Sequence, residues 1–169
     1  MICPWKEETR SKTFRHFSST EHITADGRSS CQTQKHPAES LFRTMEFSYE
    51  DTYAKFSLQG EKDNLKVTSS NGVKVDTDNF RQLYKAVLFT TMDGYASKPE
   101  EADEILTLNI VLRDGNEYKY VFYGMTARKA YYSLNGSGEF YINRDYVKQM
   151  MTACTDILNG KTVTVDRKN

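Results

Sequence analysis

The stretch Leu106-Thr107-Leu108-Asn109-Ile110-Val111-Leu112-Arg113-Asp114-Gly115-Asn116-Glu117-Tyr118-Lys119-Tyr120-Val121-Phe122-Tyr123 decides the fold. Leu106, Leu108, Ile110 and Leu112 alternate with Thr107, Asn109 and Val111, the period of two that sends successive side chains to opposite faces of a strand. Asp114-Gly115 is a hairpin turn signal, because glycine takes the left-handed backbone that tight turns require. Beyond it, Tyr118, Tyr120 and Phe122 fall on one face and Val121 and Tyr123 on the other. The reading is a long antiparallel hairpin with large flat side chains available for a core.

The same grammar extends in both directions. Downstream, Lys129 to Leu134 reads as a strand that turns through Asn135-Gly136-Ser137-Gly138 into Glu139-Phe140-Tyr141-Ile142. Asn143 then caps a helix whose Tyr146, Val147, Met150, Met151, Cys154, Ile157 and Leu158 form one apolar stripe, ending before Gly160. Upstream, Tyr53 to Leu58 and Leu65 to Ser69 read as short strands, with a third, Val73-Lys74-Val75, after Asn71-Gly72. Asp76, Thr77 or Asp78 can cap a second helix over 78–91, where Phe80, Leu83, Tyr84, Val87 and Leu88 recur at helical spacing. Met92-Asp93-Gly94 and the segment from Ala96 to Asp103, with Pro99 and three acidic residues, read as an exposed loop.

A shift of 67 positions lays Leu65 to Val87 over Tyr132 to Cys154, strand on strand and cap Asp76 on cap Asn143, with Asp78 on Asp145, Gln82 on Gln149 and Ala86 on Ala153. The expected fold class is therefore α+β: a mainly antiparallel sheet with two helices on one face, built from two hairpin-plus-helix units in a single domain over 45–169. Residues 1–44 are rich in Ser, Thr, Lys, Arg and His without periodicity and read as a disordered or non-native segment.

Composition narrows the function classes. The chain of 169 residues has room for one domain, and 23 basic residues balance 23 acidic ones, without the basic excess expected of a protein that tracks a phosphate backbone. No window approaches the roughly 20 apolar residues of a bilayer span, so no direct membrane insertion is expected. Met1-Ile2-Cys3-Pro4-Trp5 runs straight into Lys6-Glu7-Glu8, which is not the apolar core of a secretory signal. Cys3, Cys31 and Cys154 form neither a disulfide framework nor a zinc knuckle, and Cys154 sits on the helix stripe as a small hydrophobe. His16, His22 and His36 have no metal-site spacing, so neither metal nor cofactor is expected.

Candidate chemistry is sparse. From Met45 onward there is no His, which removes the base of a Ser-His or Cys-His pair. Gly136-Ser137-Gly138 lacks the Lys and the helix start of a phosphate loop and reads as a turn. Glu50 with Asp51, and Glu100, Glu101, Asp103 and Glu104, read as solvated charge runs, so no catalytic residue is assigned. Asn135-Gly136-Ser137 is a glycosylation sequon in a tight hairpin. The aromatic strands are the best candidate site. Tyr118, Tyr120, Tyr123, Tyr131 and Tyr141 form an expected aromatic binding face for a protein, peptide or glycan, set against the simpler reading that one face of them is core.

Val121-Phe122-Tyr123-Gly124, Ala127-Arg128-Lys129, Asn135-Gly136-Ser137-Gly138-Glu139-Phe140-Tyr141, Val147 and Leu158-Asn159-Gly160-Lys161 together resemble the C-terminal unit of the bacterial domain-of-unknown-function family 4340. The resemblance covers about residues 50–163 and has no counterpart for the first 44. Members of that family are typically repeats of a small α+β unit, anchored outside the cytoplasmic membrane by one N-terminal helix and found alongside ABC transporter components. The resemblance implies an extracytoplasmic accessory or binding module with a protein partner such as an ABC transporter component. It departs from the family pattern in lacking the anchor and most repeats. The family has no established catalytic residues, and none is implied here.

Overall fold

Asn135 and Gly136 both take left-handed backbone, with φ of 51° and 83°, which is the two-residue turn whose twist matches that of the strands it joins. Turns of this kind make neighbours in sequence neighbours in space, and the sheet grows outward from them. The computed structural model describes residues 42–60 and 64–166. Its elements are β1 (Phe42–Tyr49), β2 (Thr52–Gln59), β3 (Lys66–Ser69), β4 (Lys74–Val75), α1 (Thr77–Phe89), β5 (Gly94–Tyr95), β6 (Glu104–Leu112), β7 (Glu117–Gly124), β8 (Lys129–Leu134), β9 (Ser137–Asn143) and α2 (Arg144–Leu158).

Among the described residues the strands form one sheet in the order β4-β3-β2-β1-β6-β7-β8-β9-β5, with every neighbouring pair antiparallel. The fold is α+β, as the periodicity requires. Each half is a four-strand meander followed by a helix, larger than the single hairpin-plus-helix unit expected. The first strands of the two halves, β1 and β6, pair in the middle, Phe47 opposite Leu108. The two caps are equivalent: the Asp76 carboxylate accepts from the N–H groups of Asp78 and Asn79, and the Asn143 side chain accepts from that of Asp145.

The expected domain start at Met45 is corrected: Phe42, Arg43 and Thr44 already belong to β1. A register shift between Phe42 and Thr44 separates the inward residues Phe42 and Met45 by three positions instead of two, so alternation is not visible at the start of this strand. The expectation for residues 1–41, including Cys3, Cys31 and all three His, lies outside the described residues.

The core fills the space between one sheet face and the helices. Met45, Phe47, Phe56, Leu108, Tyr120, Phe122 and Tyr132 from the strands meet Phe80, Leu83, Val147, Met150 and Cys154 from the helices. Aromatic rings run through it from strand to strand: Phe122 and Tyr132 are 5.9 Å apart, as are Tyr132 and Phe140. The tail after α2 returns across the helices, where the Asn79 side chain accepts from the Val163 N–H at 3.0 Å and Val163 and Val165 are buried. At the junction of the halves the Tyr49 hydroxyl, at the end of β1, donates to the Met151 carbonyl at 3.1 Å and lies 2.7 Å from the Thr155 hydroxyl.

Burial gives this core a pH signature. Desolvation raises the Tyr49 and Tyr120 phenols above their ordinary value and pushes the Cys154 thiol from 9.0 up to about 11. These groups keep in the folded state protons that the unfolded chain releases. Their contribution is therefore full below the unfolded values and is lost as pH climbs through the window toward the raised ones. The unfolding free energy should hold to about pH 9, fall as Cys154 titrates in the unfolded chain, and fall faster above about pH 10 as Tyr120 joins it, by at most roughly 1.4 kcal/mol per pH unit for each of these two and by less for the part-buried Tyr49 hydroxyl. A flat profile to about pH 11 would contradict the burial of all three.

Candidate interaction face

Because both helices cover one face of the sheet, the alternation of each strand decides which tyrosines are left on the other. Tyr118 pairs with Ile110 and Tyr120 with Leu108, inward residues of β6, so both turn toward the helices. Tyr120 is 1% exposed and Tyr118 half-buried against the core. This corrects the expected binding face, which loses Tyr118 and Tyr120 to the core. The alternation was visible in the sequence; which set of alternating residues would meet the helices was not.

Tyr123, Tyr131 and Tyr141 lie on the outer face, directly opposite one another on β7, β8 and β9. Tyr123 and Tyr131 have ring centroids 6.1 Å apart. Tyr131 is 4% exposed, so the expected binding face loses it as well; its hydroxyl donates to the Gly138 carbonyl, tying the row to the β8–β9 hairpin. Tyr141 leans over its cross-strand neighbour Gly94 so closely that a Cβ there would sit 2.8 Å from the ring.

Two lysines complete the row. The Lys129 ammonium lies 4.1 Å from the centre of the Tyr141 ring and the Lys98 ammonium 4.2 Å from that of Tyr123. Lys129 stands diagonally across the β8–β9 pair from Tyr141, within reach of a long side chain. Lys98 belongs to the segment that leaves β5 at the sheet edge and returns to β6 in the centre. Its contact with Tyr123 shows that this segment crosses the outer face. The expected exposed loop is thus a strap over part of the tyrosine row.

The rest of the outer face is polar. Lys55 pairs with Glu46 at 2.8 Å, and the exposed Tyr53 hydroxyl donates to the same carboxylate at 3.3 Å. Lys66, Lys74 and Lys119 occupy strand positions that alternate with buried Val67, Val75 and Tyr120, and so stand on this face too. Sequence reasoning passed over Lys98 and Lys129 because a lysine in a loop or at a strand start carries no pattern. Only the register brings them onto the rings.

Among the described residues no three His, Cys, Asp or Glu side chains gather as a metal site, and no helix is long and apolar enough to cross a membrane. No family model matches the chain, and neither a curated protein nor a solved structure matches it.

Proposed function

We propose that this domain is a non-enzymatic interaction module that docks on a protein partner through the outer face of its sheet. The observation that carries the reading is Tyr123 and Tyr141 with Lys98 and Lys129 on their rings, braced by the buried Tyr131 between them, on the face that carries no helix. Tyrosine offers large rigid contact area with a polar tip, and a lysine packed on a ring is already ordered before the partner arrives. The partner we propose is a component of an ABC transporter or envelope complex outside the cytoplasmic membrane, an assignment that rests on the resemblance to family 4340.

A glycan or free peptide is the alternative occupant. A sugar stacks on an open aromatic face, and here the Tyr123 and Tyr141 faces each hold an ammonium group, which favours a protein surface.

Lysine-reactive crosslinking and mass spectrometry in the native cells tests the reading. Links from Lys98, Lys119 and Lys129 to a permease or ATPase are expected. Tyr123→Ala combined with Lys98→Ala should weaken the complex by about 2 kcal/mol, roughly thirtyfold, with unchanged circular dichroism. Links confined to Lys85 and Lys148 on the helices, or self-links alone, would end the proposal and turn the search to sugars and peptides by thermal shift.

A further inference from the structure

At the end of the sheet, a cleft of about 280 Å³ opens between the first turns of α2, the β1–β2 turn and the start of β6, where Glu104 is the cross-strand partner of Tyr123. It is lined by Glu50, Glu104, Ile105, Arg144, Val147, Lys148 and Met151. Arg144, Val147, Lys148 and Met151 are spaced i, i+3, i+4 and i+7, one continuous stripe of the helix. The wall opposite comes from the β1–β2 turn, which carries Glu50, and from the irregular start of β6, where a register shift between Glu104 and Leu106 frees Ile105 from strict alternation.

The cleft is divided by charge. Two cations, Arg144 and Lys148, stand on the helix wall, and Glu50 stands on the turn, over an apolar floor of Ile105 and Met151, beneath which Val147 is fully buried. Among the described residues, Arg144 Nη1 donates to the Thr126 carbonyl at 3.2 Å, and Lys148 lies 3.6 Å from the Asp145 carboxylate. Glu104 also lines the cleft, but its Oε1 accepts from the Thr107 hydroxyl, and Glu50 is the acid we assign to a ligand. Glu50 takes its place through the two-residue turn between β1 and β2, where its φ of 48° is the left-handed backbone such turns require and which glycine or asparagine adopts more readily.

We infer that this cleft binds a small zwitterion with an apolar side chain, of the α-amino acid or dipeptide class. The carboxylate would meet Arg144 and Lys148, the ammonium would meet Glu50, and the side chain would lie on Ile105 and Met151. The volume, just below the usual range for ligand sites, suits an amino acid or dipeptide.

Titration of the whole protein followed by amide chemical shifts tests this, using leucine, dileucine, N-acetylleucine and leucinamide as probes. Leucine or dileucine should shift residues of the cleft, and which of the two binds tighter tells amino acid from peptide. N-acetylleucine, without the ammonium, and leucinamide, without the carboxylate, should each bind at least about tenfold more weakly. Glu50→Gln should reduce leucine to the affinity of N-acetylleucine while leaving N-acetylleucine unchanged, and Arg144→Gln should act the same way on the carboxylate side. Glu50→Gly removes the carboxylate and relieves the left-handed strain, so it keeps the fold intact while abolishing the preference. No shifts up to about 10 mM probe, equal binding of the blocked analogues, or leucine binding indifferent to Glu50→Gln would each overturn the inference.

Discussion

Phe56→Ala should destabilise the domain by about 3–5 kcal/mol. Phe56 is fully buried, lies 6.1 Å from Phe47 on β1 in an edge-to-face pair, and lies 5.8 Å from Phe80 on α1, so it locks sheet to helix in the first half. Truncation leaves a ring-sized void that strands held on both sides cannot close, and the cavity adds to the lost transfer free energy. Domains of this size have about 5–15 kcal/mol in total, so the variant should unfold at a much lower urea midpoint or be partly unfolded in buffer. The neighbouring Tyr53, 57% exposed on the opposite face, provides the control: Tyr53→Ala should change stability by no more than about 0.5 kcal/mol. Equal costs for the two would mean that the alternation of β2 is reversed.

Gly138→Ala should cost about 3 kcal/mol, the upper part of the range for overpacking. A Cβ at Gly138 would strike the Tyr132 carbonyl oxygen and come within 2.8 Å of the Ser133 Cα, and both are backbone atoms of the paired strand. A flexible side chain could swing away, but β8 cannot, because Tyr132 is packed in the core on one side and Tyr131 holds the Gly138 carbonyl on the other. The adjacent Gly136 gives the comparison. Its φ of 83° strains any other L-residue, yet a Cβ there meets nothing, so Gly136→Ala should cost only about 1–2 kcal/mol. Urea denaturation of both variants should rank Gly138→Ala as the more damaging. The reverse order would show that the hairpin is not pinned at Gly138.

The two glycines also show where sequence reading stops. Asn135-Gly136 announces a turn by residue type, because a left-handed pair needs those residues. Gly138 has no such need of its own. It is required by the carbonyl of a residue six positions earlier, which comes close only through the register shift between Tyr132 and Leu134. The same shift in kind hid the start of β1, where the irregularity after Phe42 spaces the inward residues by three. The candidate face divides similarly: Tyr123, Tyr131 and Tyr141 were named from the strands, but Lys98 and Lys129 entered only with pairing and with the path of the crossing segment. The cleft gave still less signal. Arg144 and Lys148 look like ordinary solvated positions of an amphipathic helix until Glu50 is brought opposite them.

What sequence alone determined is everything that depends on neighbours along the chain. Side-chain period, turn chemistry and caps set β2 to β4 and β6 to β9, both helices, the antiparallel character and the internal doubling, because backbone geometry repeats over two or 3.6 residues and can be read in short windows, whereas the two-residue β5, expected as loop, exists only through its pairing with β9. Tertiary structure decided which face of each strand is core, since alternation is symmetric until a helix layer breaks it. It also decided that β1 and β6 join the halves in the middle of one sheet. A strand edge carries the same hydrogen-bonding groups whichever neighbour it meets, so local sequence leaves that choice to the packing of the two halves against a shared core.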